Sequence, residues 1–233
     1  MDGPSEANPW VMRSAVNNFY YLYQDAEWFL AIASKPEMEE TFDKTRYCRT
    51  AIVLYVVALE ALINRASEAF LPSPLREFFI EREDQLSFVD KWRLLPMLAG
   101  NGKGFEIAAY PWTHFVELVG VRNDFVHPKS DRMAYYRFIG PQQMEPLQWN
   151  RIPKDLGVTE KDVVYRQTRI PRDPYSLRPE HLATVKRVVD DTVKELDRLL
   201  DGKIFKDNWA HTDQMKLIYP PGAQFTTPEP KTS

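Results

Sequence analysis

Arg49-Thr50-Ala51-Ile52-Val53-Leu54-Tyr55-Val56-Val57-Ala58-Leu59-Glu60-Ala61-Leu62-Ile63-Asn64 decides the architecture. Wound at 3.6 residues per turn, its middle is apolar on nearly every side, as expected of a central buried helix. The helix is expected from about Thr41 to Phe70, and Leu71-Pro72-Ser73-Pro74 closes it. The polar exceptions fall in one line: Arg46, Arg49, Glu60, Asn64 and Ser67 lie within roughly 40° of the Glu60 direction. A carboxylate amid Val57, Leu59, Ala61 and Leu62 is costly to bury unless it is paired, so Glu60 calls for a cation.

Arg122 is the partner expected for it. It belongs to Val121-Arg122-Asn123-Asp124-Phe125-Val126-His127-Pro128-Lys129, at the end of a helix expected from about Pro111 to Val126. Asn123 and His127 lie roughly 40° apart on one face, whereas Arg122 sits about 140° round from His127. Pro128 disfavours the helical conformation at His127 and so frees it to turn out of the last turn. An imidazole at an exposed helix end is well suited to give and take a proton near neutral pH.

The R-N-D-F-V-H run resembles the R-x4-H motif of HEPN domains, in which a polar residue usually follows the arginine. Arg49–Asn64, with its A-L-E-A-L-I-N ending, is similar to the long apolar helix that precedes the motif in many of them. The resemblance covers roughly Asn8 to His127 and a helix near the C-terminus. It implies an all-α helical bundle acting as a homodimer, with Arg122 and His127 of both copies lining one cleft. It also implies metal-independent endoribonuclease activity of the toxin or antiviral-defence kind, without a cofactor. The partners implied are RNA and an antitoxin or defence protein. His127 is then the general acid or base and Arg122 the clamp on phosphate, while Asn123 holds substrate or orients the imidazole and Glu60 and Asp124 support. Arg46, Arg49, Lys129 and Arg132 are the further residues expected to touch RNA. The residue two after His127 is Lys129, where related toxins carry a tyrosine that a partner enzyme modifies.

Two other readings stay open. The motif can be an ordinary helix end, with the histidine at the last carbonyls and the arginine paired to Glu60 or Asp124. The bundle can also be a non-catalytic module that binds RNA or a nucleotide, or that serves assembly.

Outward from these two stretches, a first helix is expected from about Pro9 to Ser34. Val11, Ala15, Phe19, Leu22, Ala26, Phe29 and Ala33 form its stripe, and Asn8 caps it. Short helices are expected around Pro74 to Arg82 and Ser87 to Leu98, and Gly100-Asn101-Gly102-Lys103-Gly104 is a turn without the G-K-[ST] ending of a phosphate loop. His114 is read as an ordinary surface or packing histidine. The last helix should run from about Arg178 to Leu200, closed by Gly202.

The segment 128–178 is different in kind. Prolines recur, and Met133–Ile139 and Asp162–Ile170 have the β-branched and aromatic content of strands, so a small hairpin or two extended arms are expected. Lys129–Arg178 holds ten basic and six acidic residues, a balance of +4 within a chain of net −3. A basic, aromatic flap beside the motif would suit a polyanion; a solvated insertion with ordinary charge scatter fits equally well.

The chain thus divides into a helical core at 8–127, the β-containing insertion at 128–178, a helix at 179–201 that completes the core, and an arm and tail at 202–233. Phe205, Trp209, Leu217, Ile218 and Tyr219 are expected to pack back from that arm. At 233 residues the chain can bury a substantial core. One cysteine, Cys48, excludes an internal disulfide and favours a reducing compartment. Four scattered histidines give no zinc spacing. The acidic N-terminus lacks a signal core, and the run Ala51–Leu59 is short of the roughly 20 residues of a membrane span, so a cytoplasmic location is expected.

Overall fold

A computed structural model describes residues 11–15, 17–38, 42–81, 86–127, 135–141, 143–147, 149–206 and 214–218. It is predominantly helical. The central rod, α2 (Phe42–Phe70), has Ile52, Tyr55, Val56, Leu59, Leu62 and Ile63 fully buried. Around it pack α1 (Asn18–Ala33), α3 (Ser73–Glu81), α4 (Phe88–Ala99), α5 (Trp112–Val126) and α7 (Pro179–Leu199). Each such apolar side chain contributes about 1.5–3 kcal/mol on burial, which makes this rod the main source of cohesion. The nine-residue apolar run understates it. By length and composition α2 could cross a membrane, with a mean hydropathy of 1.5 over its best 18-residue window. In the structure five helices pack against it, and half of that window is buried.

The first helix starts later than its stripe predicts. Asn17, not Asn8, caps it, and its Oδ1 accepts the Tyr20 N–H at 3.3 Å. Val11–Ala15 form β1, antiparallel to β4 (Gln214–Ile218), with Val11 opposite Ile218 and Ala15 opposite Gln214. The ladder satisfies backbone groups that a helix would otherwise have paired, and its partner lies some two hundred residues away in sequence. Asn8, Pro9, Trp209 and Tyr219 lie outside the described residues.

The other helices follow their patterns. Ser87 Oγ accepts the Asp90 N–H at 3.1 Å and starts α4. At its end Gly100 permits a close crossing, because a Cβ there would stand 2.3 Å from the Leu199 carbonyl oxygen of α7. The left-handed Gly202, φ 79°, closes α7, with its N–H bonded to Asp197 O at 2.8 Å.

Within 128–178 one of the two strand expectations survives. β2 (Tyr136–Gly140) and β3 (Gln143–Pro146) form a hairpin. Asp162–Ile170 is not a strand. Asp162 Oδ2 accepts the Thr159 N–H at 2.9 Å and caps the one-turn helix α6 (Glu160–Val163). Beyond it the chain makes a closed loop, in which Val164 bridges Pro171 and Arg169 takes φ 60°. Thr168 and Ile170 of this loop are buried.

Candidate functional site

Arg122 stands where α5 crosses α2. Its Nη2 donates to Glu60 Oε2 at 2.8 Å, the pairing expected from the sequence. The arginine side chain is 18% exposed and the glutamate 42%, so the carboxylate looks to water while the guanidinium is largely covered. Arg122 Nε is buried and has no hydrogen-bond partner among the described residues. The polar line along α2 continues one turn on, where Asn64 Oδ1 accepts from Lys91 Nζ of α4 at 3.0 Å. Two helices thus each send a cation to one polar seam on an apolar rod.

His127 has left the helix, at φ −126° and ψ 68°, as a residue before proline should. Its N–H still bonds Asn123 O at 2.8 Å, and both side chains are exposed. On the α5 wheel Asn123 and His127 share a stripe with Val116 and Gly120. Val116 is 38% exposed, and a Cβ on Gly120 would meet nothing within 4 Å. That stripe is open. Arg122 faces α2, and no hydrogen bond joins it to His127 among the described residues. Within one chain, then, the arginine is held toward α2 while the histidine sits about 140° round the helix from it.

Asp124 faces a third way. Its Oδ2 accepts from the Tyr165 hydroxyl, and Arg172 Nη1 stands 3.7 Å from it. Seven residues earlier, Glu117 takes the N–H groups of Gln167 (2.8 Å) and Thr168 (2.6 Å) and the Thr168 hydroxyl (2.9 Å). The loop 164–172 is therefore strapped along α5. Two of its three arginines are paired, Arg172 with Asp124 of α5 and Arg169 with Glu160, while Arg166 is exposed.

The expected outer contacts are dispersed. Arg46 pairs with Asp43 at 3.0 Å and Arg49 is exposed, and they stand about 21 and 16 Å from Glu60 along the helix axis, too far to share its site. Lys129 and Arg132 lie outside the described residues. His114 packs edge-on against the Tyr110 ring at 4.9 Å, and burial pulls its pKa down. Burial pushes the Cys48 thiol up to about 12, which leaves it protonated and unreactive. No group of three or more potential metal ligands occurs among the described residues. A cleft of about 360 Å³ near Lys35, Lys44 and Arg178 lies at the opposite end of α2 from Glu60.

Sequence reasoning missed the strap and also a polar joint of α1, α2 and α7. There Lys186 Nζ lies 3.3 Å from both Glu27 Oε1 and Asp190 Oδ2 and donates to the Tyr23 hydroxyl, while the Tyr55 hydroxyl donates to Glu27. Burial, then hydrogen bonds to the carboxylates, push both phenols well above their ordinary range, so they act as neutral donors. Tyr23 and Tyr55 read in sequence as aromatic filling, and only a charged residue on each facing helix hints at more. No protein-family model, no curated protein and no solved structure matches this chain.

Proposed function

We propose that this chain is a HEPN-like helical domain that cleaves RNA without a metal, as a toxin or antiviral-defence endoribonuclease of the cytoplasm working as a homodimer. The observation that carries the reading is the divided end of α5: Arg122 is preset by Glu60 at 2.8 Å, while Asn123 and His127 project on an open stripe of the same two turns. A second copy approaching over Gly120 would bring two such ends together. In the cleavage step a ribose 2′-oxygen attacks the adjacent phosphorus as its proton passes to a base. The bond to the 5′-oxygen breaks and that oxygen takes up a proton. Cyclic phosphate and 5′-hydroxyl ends result. His127 is the proton carrier, a role worth about 10²- to 10⁴-fold in rate. Arg122 meets the negative charge that builds on phosphate. Asn123 holds substrate or the imidazole.

The separation of Arg122 from His127 in one chain favours a second reading, a non-catalytic module that binds RNA or a nucleotide. Purified protein incubated with RNA and chelator separates the two. The first reading expects cyclic-phosphate ends, their loss in His127→Ala and Arg122→Ala with folding retained, and growth arrest on expression that His127→Ala relieves. Intact RNA and equal harmlessness of wild type and variant would leave the binding module.

A further inference from the structure

We infer that Tyr165 and Arg172 are positioning residues: through Asp124 they hold the last turn of α5, and with it Asn123 and His127, in the orientation the cleavage site needs. The inference rests on the proposed nuclease reading for its purpose, but its geometry stands apart from it. On a regular helix Glu117, Val121 and Asp124 share a stripe about 100° round from that of Val116, Gly120, Asn123 and His127. The strap along the first stripe is thus a wall beside the second.

The wall is stiff. Tyr165 N–H bonds Ile170 O at 2.8 Å, Arg169 N–H bonds Tyr165 O at 3.0 Å, and Arg172 N–H bonds Val163 O at 2.8 Å, which closes the loop on itself. Arg172 lies over the Tyr165 ring, 4.2 Å from its centroid, and its Nε donates to Lys161 O at 2.7 Å. The hydroxyl and the guanidinium that reach Asp124 are therefore each fixed before they do so.

The two attachments differ in kind. Glu117 grips backbone N–H groups in the middle of α5, which is enough to dock the loop. Asp124 is held by side chains, three residues before His127 and next to Asn123. A carboxylate tethered from outside at that point sets the azimuth of the residues on either side of it, just where helix ends fray. Nothing in docking alone requires a second anchor there.

The test uses the full chain with Tyr165→Phe, which keeps the ring under Arg172, and Arg172→Gln beside Arg172→Lys. Glu160→Gln, which breaks the outward pair with Arg169, is the control. Amide hydrogen exchange at Phe125, Val126 and His127 should speed up in Tyr165→Phe and Arg172→Gln, and return towards wild type in Arg172→Lys, with exchange in α2 unchanged. If wild type cleaves RNA, kcat should fall on the order of tenfold in the same two variants, with KM held within about twofold. Wild-type exchange in both variants overturns the inference, and so does faster exchange with unaltered kcat. Should wild type leave RNA intact, the nuclease reading falls by itself and the exchange rates alone decide whether the strap holds this turn.

Discussion

Two attachments of α5 to its surroundings, an inner and an outer one, differ in what they ask of the chain. Inward, Arg122 makes one bond to Glu60, a carboxylate 42% open to water. Outward, Glu117 takes two backbone N–H groups and a hydroxyl from a loop whose Thr168 is 2% exposed. The inner seam has the apolar packing of α2 beneath it, whereas the loop adds its polar anchors to the burial of Tyr165 and Ile170. The difference teaches that the ion pair that stands out in sequence need not be the stronger hold. In the inner pair hydration offsets much of the attraction, while in the outer one the buried Thr168 has little access to water in place of Glu117, although the Gln167 N–H is exposed.

Glu117→Ala is the sharpest way to break that comparison. It strands the Thr168 N–H and hydroxyl, and bonds to charged acceptors are worth about 1.5–3 kcal/mol, so a loss of about 2–3 kcal/mol is expected. Urea unfolding reads the total, and limited proteolysis should cut first near Arg166 or Arg169. A variant as stable and as protease-resistant as wild type would mean that burial of Ile170, not Glu117, secures the loop.

Glu60→Ala should cost less, about 1 kcal/mol, because an exposed carboxylate gives little net and Arg122 can recruit water in its place. Glu60→Gln, which keeps one acceptor, should fall between. The same urea midpoints rank the two attachments. A larger loss for Glu60→Ala than for Glu117→Ala reverses the ranking and puts the guanidinium in a drier setting than its 18% exposure implies.

The inner attachment was legible in sequence and the outer one was not. A carboxylate on a rod of Val57, Leu59 and Leu62 has to find a cation, and a motif with a guanidinium supplies one; the reasoning needs no coordinates. The same holds for the helices, whose spacing sets α2, α4, α5 and α7 to within a residue or two. The strap fails the test because V-V-Y-R-Q-T-R-I has the β-branched and aromatic content of a strand, and the features that turn it are local: Asp162 caps a helix and Arg169 adopts a left-handed backbone. Asp124, Tyr165 and Arg172 meet only because the loop returns to α5, a path no spacing encodes. The start of α1 fails for a similar reason, since Val11 and Ala15 continue its stripe while a distant strand claims their backbone. Of the site residues, Arg122 and Glu60 were placed correctly relative to each other. The cleft shared by Arg122 and His127 is implied by the resemblance as one between two copies, which contacts within one chain do not report.

Where the segment 128–178 rejoins the core, a third attachment sharpens the contrast through pH. His181 Nδ1 accepts the Arg178 N–H at 3.0 Å at the start of α7, so the folded state needs the imidazole neutral on that nitrogen. Burial pulls its pKa below the ordinary 6.5; Glu180 beside it opposes the shift and Arg178 adds to it. A lowered pKa means that below pH 6.5 the unfolded chain binds the proton more readily than the folded one. Stability from this group is full above pH 6.5, falls as the pH drops from there through the folded value, and is constant below it. The effect should be the smallest of the three, since it touches one bond at a helix start. It is read by subtracting the pH dependence of unfolding in His181→Asn from that of wild type. The variant keeps a possible acceptor but cannot titrate, so the difference between pH 7 and pH 5 should shrink. An unchanged pH profile would show that the imidazole is already solvated in the fold, and that acid loosens this end of the segment through its carboxylates instead.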